Sequence, residues 1–94
     1  MTPAEIQAVR GELKMTQAQL AQLLGVHVLT VSKWERGALR PTPHQAAMLA
    51  SFQTAASKEP DIGVVVAGLL VGAGVAVAVY KLLEAAFKKP ASRS

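Results

Sequence analysis

Apolar residues in the first half of the chain recur at helical spacing. Ile6, Val9 and Leu13 form one such set, Leu20, Leu23 and Leu24 a second, Val31 and Trp34 a third, and Ala46, Leu49 and Phe52 a fourth. Three of the sets follow a threonine placed three residues before Glu or Gln: Thr2-Pro3-Ala4-Glu5, Thr16-Gln17-Ala18-Gln19 and Thr42-Pro43-His44-Gln45. In such a box the threonine hydroxyl and the Glu or Gln side chain satisfy backbone N–H groups that the first turn of a helix leaves without partners. Pro3 and Pro43 add a ring already set to the helical φ at the first helical position. The remaining set lies between Gly25 and Gly37, and glycine can end a helix by taking positive φ at little cost. The pattern predicts four helices, the third running from about His27 to Arg36, and an all-α fold.

The pattern changes after the polar, proline-containing stretch Ser57-Lys58-Glu59-Pro60-Asp61. From Ile62 to Tyr80 there are 19 residues without a charge. As one helix this run would rise about 28 Å, close to the roughly 30 Å of a bilayer's hydrocarbon core. Gly68, Gly72 and Ala76 repeat a small residue every four positions, which lets helices approach closely in lipid, and Tyr80 and Lys81 suit an interface. The cations Lys81, Lys88, Lys89 and Arg93 lie beyond the run, however, which opposes a cytoplasmic first half. The other reading is a segment buried in an oligomer, as packed helices or as a Val-rich hairpin turning at Gly72-Ala73-Gly74. The organisation expected is a compact four-helix domain over 1–57, a linker over 58–61, a long hydrophobic helix over 62–80 that is transmembrane or oligomerising, and a basic amphipathic tail over 81–94.

Charge narrows the partner only slightly. The net charge is +4, which favours an anionic partner such as nucleic acid or a lipid surface, but it is shared equally between residues 1–57 and 58–94. With no cysteine, thiolate metal sites and disulfides are excluded. His27 and His44 lack carboxylates at ligand spacing, so no metal and no cofactor is expected. Ser32 has no base beside it in sequence and no catalytic constellation is visible, so the chain does not read as an enzyme.

The second and third helices, joined by Gly25-Val26-His27, make a helix-turn-helix, whose second helix enters the DNA major groove while the first braces across the backbone. The string from Thr16 to Val26, followed by Thr30-Val31-Ser32-Lys33-Trp34-Glu35-Arg36-Gly37, resembles the Cro/C1-type (XRE family) regulators, including phage-repressor-like and antitoxin-type members ending in Trp-Glu-x-Gly. The resemblance covers roughly residues 3–55. It implies a bundle of four or five helices that binds double-stranded operator DNA, usually as a dimer on a palindrome. It also places Gln17 where such proteins contact a phosphate, and Arg10 and Glu35 where a structural salt bridge joins the first and third helices. The candidate DNA-binding residues are Gln17, His27, Val28, Thr30, Ser32, Lys33, Arg36 and Arg40.

One departure from the family pattern bears on specificity. The third helix opens with His27-Val28-Leu29 instead of a run of polar residues. Val28 and Leu29 cannot hydrogen-bond to bases, although an apolar side chain can pack on a thymine methyl. The expected function is therefore a repressor-like transcriptional regulator in the cytoplasm, self-associating through 62–80 or anchored by it at the inner face of the cell membrane. The alternative is a membrane-anchored adaptor that resembles cell-shape proteins, in which the helix-turn-helix docks a cytoskeletal or other protein partner.

Overall fold

The computed structural model describes residues 1–87 of the chain, as six helices and no strands among those residues. They are α1 (Pro3–Leu13), α2 (Gln17–Leu24), α3 (Val28–Glu35), α4 (Pro43–Lys58), α5 (Ile62–Gly72) and α6 (Val75–Ala86). All three threonine boxes close. The Thr2, Thr16 and Thr42 hydroxyls each accept from the backbone N–H three residues on, at 3.1 Å. The Glu5, Gln19 and Gln45 side chains accept from the threonine N–H groups at 2.8, 3.0 and 2.9 Å. Each box contributes about 1 kcal/mol and fixes where its helix begins.

The four apolar sets meet in one core. Ile6, Val9, Leu13, Leu20, Val31, Trp34, Leu49 and Phe52 are all fully or almost fully buried. Leu24 and Ala46 are only partly covered, whereas Met15, Ala55 and Ala56 join the core.

The 62–80 run departs from the expected single long helix. It folds as two helices, and no helix among the described residues is long and apolar enough to cross a membrane. The break is at Ala73-Gly74. Gly74 takes φ +104, a conformation that side-chain-bearing residues rarely adopt, while the Ala73 and Gly74 N–H groups both donate to Leu69 O at 2.8 Å. The turn thus falls within the stretch where a hairpin was one of the readings, but it joins helices rather than strands. The hairpin packs on α1, α2 and α4 of its own chain. Ile62, Val66 and Leu70 of α5 and Ala78 and Leu82 of α6 enter the same core as the first four helices. A chain that buries one face of each half-run against itself satisfies in water much of what a single spanning helix would need lipid for.

At the far end, Lys58 Nζ donates to Ala86 O at 2.9 Å and ties the end of α4 to the end of α6. The segment expected to be a linker therefore starts inside α4, and the expected basic tail starts inside α6. Lys88, Lys89 and Arg93 of that tail lie outside the described residues.

Candidate nucleic-acid interface

The turn between α2 and α3 is built on Gly25. It adopts φ 69, its N–H reaches Ala21 O and Gln22 O, and the Val26 N–H donates to Ala21 O at 3.0 Å. This reversal closes α2 and leaves Val26 packed against the core. His27 then caps α3. Its Nδ1 accepts from the Leu29 N–H at 3.1 Å, so the neutral ring carries its proton on Nε2. His27 is exposed and retains that donor for an outside acceptor.

On α3, Leu29, Lys33 and Arg36 fall at i, i+4 and i+7, and all three are exposed. Arg40 is exposed in the loop that follows. Thr30 and Ser32 are half-buried and flank this stripe. Val28, a candidate from the sequence, is also half-buried and packs against the core, while Leu29 is 59% exposed. Spacing carried that signal, because Val28 lies three residues before the buried Val31 and therefore on the inward side. Leu29 is the apolar residue the structure adds to the candidate surface.

The acidic residue of α3 is turned away from this surface. Glu35 is buried and held by Arg10, which donates through Nε to Oε2 at 2.7 Å and through Nη2 to Oε1 at 3.0 Å. Arg10 also donates to Met15 O at 3.2 Å, and the Gln7 side chain donates to Glu35 O at 3.2 Å. Gln17 completes the network by donating from Nε2 to Glu35 Oε1 at 3.1 Å. These bonds stitch α1, the α1–α2 turn, α2 and α3 together. Burial alone pushes the Glu35 carboxyl up, but the hydrogen bonds from Arg10 and Gln17 and the Arg10 charge outweigh it and hold the group below its ordinary value. The same hydrogen bond to Glu35 raises Arg10. Between His27 and Thr42 the surface therefore presents Lys33, Arg36 and Arg40 with no exposed carboxylate.

Gln17 was expected at a phosphate. The structure ties it to Glu35 through one amide proton, which leaves the second proton of Nε2 for another acceptor. On the inner side of α3, Trp34 is buried and its Nε1 has no hydrogen-bond partner among the described residues. Trp34 also forms part of the wall of an open pocket of about 410 Å³ with Thr2, Pro3, Gly37, Leu39 and Arg40.

A protein-family model described as helix-turn-helix matches residues 6–52, half of the chain. It spans most of α1, all of α2 and α3 and most of α4, including every residue of the Arg10–Gln17–Glu35 network and the exposed stripe. It stops before α5 and α6. No curated protein and no solved structure matches the chain.

Proposed function

We propose that this chain, which belongs to the helix-turn-helix family, is a sequence-specific DNA-binding transcriptional regulator of the repressor kind, paired through its apolar C-terminal part. The observation that carries the reading is the exposed stripe of α3. Three cations project from α3 and the loop after it, and the single carboxylate of that stretch is sequestered by Arg10. A helix so charged, held at a fixed angle by α2 and the Gly25 turn, matches what the major groove requires.

In this reading α3 lies in the groove. Leu29 and His27 sit at its N-terminal end, where base edges are read. Leu29 would favour a thymine methyl, and His27 Nε2–H an acceptor on a base or phosphate. Lys33, Arg36, Arg40 and the free amide proton of Gln17 would hold phosphates, with Thr30 and Ser32 at the margins.

A second reading draws on the exposed Leu29: the same surface would dock a protein instead. A gel shift across a salt series separates the two. DNA binding through these cations should weaken linearly on a log–log plot, by about 0.9 of a log unit in affinity per phosphate contact for each tenfold rise in salt. Absence of sequence-selective binding at any salt concentration would rule out the regulator reading.

A further inference from the structure

The loop after α3 lies over the first turn of α1, and the two line the open pocket of about 410 Å³. Gly37 takes φ +75, and the Ala38 and Leu39 N–H groups then both donate to Lys33 O, at 2.9 and 3.3 Å. This turn brings the loop against α1: a Cβ on Gly37 would lie 3.6 Å from Pro3 Cγ. Pro3 and Pro41 restrict φ on the two sides, and the Thr2–Glu5 box fixes the start of α1. Both walls are therefore held by the fold itself, around a volume in the range of small-molecule sites.

The lining combines apolar surface with proton donors. Pro3, Leu39 and Pro41 are apolar, and Leu39 is 47% exposed. The polar side chains are those of Thr2, Trp34 and Arg40, and each has a proton to offer. The Thr2 hydroxyl accepts from the Glu5 N–H and keeps its own proton free to donate. Arg40 is exposed and makes no hydrogen bond or ion pair among the described residues. Trp34 carries the buried Nε1–H that also lacks a partner among them. None of the described Asp or Glu side chains lines the pocket.

We infer that this pocket is a ligand site for a compact amphipathic anion, an aromatic or branched aliphatic carboxylate. The carboxylate pairs with the Arg40 guanidinium, and the apolar body covers Leu39 and the two proline rings. A guanidinium can hold a carboxylate through two parallel N–H donors, which a neutral head group does not match. Covering the exposed part of Leu39 adds the apolar share of the affinity. A ligand acceptor that reaches Trp34 Nε1–H relieves a penalty that the protein alone carries. Arg40 is also a proposed phosphate contact, so ligand and DNA compete for one guanidinium, and the ligand acts as a releasing effector. That consequence rests on the proposed function, whereas ligand binding itself does not. By linkage, DNA weakens the ligand by the same factor as the ligand weakens DNA.

Phenylacetate titrated into the full chain at constant ionic strength tests it, followed by proton–nitrogen correlation spectra. The single tryptophan gives one indole N–H signal there. Saturable shifts of that signal and of the Thr2, Gly37 and Leu39 amide signals are expected, with a Kd of about 0.1–1 mM for so small a ligand. Phenylacetamide in place of phenylacetate, and Arg40→Gln, should each weaken binding at least about tenfold. Leu39→Ala should weaken it about threefold. Absence of saturable shifts up to about 20 mM, well above that range, would overturn the inference. So would equal binding of phenylacetamide, or an equal response to inorganic phosphate, which would mark an adventitious ion only. In a gel shift, phenylacetate should weaken DNA binding by about the factor that Arg40→Gln costs, and should not weaken it further in that variant. DNA binding unaffected by a ligand that occupies the pocket would overturn the competition. A chain that binds no DNA would sink the regulator reading and leave the spectra to decide the pocket.

Discussion

Gln17 Nε2 donates at 3.1 Å to the same Glu35 oxygen that receives Arg10 Nη2 at 3.0 Å. A residue at the first turn of α2, where phosphate is expected, is thus oriented by a carboxylate whose main work is to join α1 to α3. Stability and the proposed DNA contact share one network. Arg10→Ala would leave Glu35 buried with its charge under-compensated, and a loss of about 3 kcal/mol is expected. Gln17→Ala should cost about 1 kcal/mol or less in stability while still weakening DNA binding. Chemical denaturation of both variants, beside a binding titration, measures the separation.

The network also sets a pH dependence. Glu35 is held below its ordinary value near 4.5, so its contribution is present above that value and is lost as pH falls through the folded-state value. Melting temperature should therefore drop on acidification below about pH 4.5, and the drop should be shallower in Glu35→Gln, which has no proton to take up there. Parallel melting curves between about pH 3 and 7 for the two proteins would contradict this role for Glu35.

Gly63 packs its Cα over the Leu13 carbonyl, where the start of α5 crosses the end of α1. Gly63→Ala must separate these backbones, and a loss of about 2 kcal/mol or more is expected despite alanine's better helix propensity. The contrast with Gly68→Ala, five residues on, is the check: a Cβ there meets nothing within 4 Å, so thermal melts should shift in opposite directions.

Much of this architecture was legible in the residue pattern, and the exceptions have physical causes. The threonine boxes, Gly25 and the Arg10–Glu35 pair depend on contacts a few residues apart or on the family resemblance, and all appear in the structure. The run from Ile62 to Tyr80 was harder. Absence of charge speaks to burial, not to what does the burying, and a 19-residue count favours a single helix. The decisive residue is Gly74, whose positive φ divides the run, and nothing in hydropathy distinguishes it from Gly68 or Gly72. At the candidate site, the cations of α3 were evident from the sequence. That Leu29 and not Val28 is the exposed apolar residue follows from the spacing of Val28 to the buried Val31.

Trp34 is the chain's single tryptophan, and its buried Nε1 makes no hydrogen bond among the described residues. Trp34→Phe loses ring volume but also removes an unsatisfied donor, so its cost should stay near 1 kcal/mol. Trp34→Ala should cost about 3–5 kcal/mol. Circular-dichroism melts of the two variants are the check, and equal losses would show that the indole N–H has a partner.

In the proposed function α3 meets DNA through Leu29, Lys33 and Arg36. Selection of bound sites from a random duplex library by the full chain, followed by a salt titration on the winner, tests it most directly. One two-fold-symmetric sequence should be enriched, bound at least about a thousandfold more tightly than bulk DNA. In Lys33→Ala and in Arg36→Ala the salt slope should fall by about one if the lost cation held a phosphate, and discrimination between bases should relax if it read a base edge. Enrichment of no sequence above bulk DNA, or an enriched site bound equally well by both variants, would contradict it.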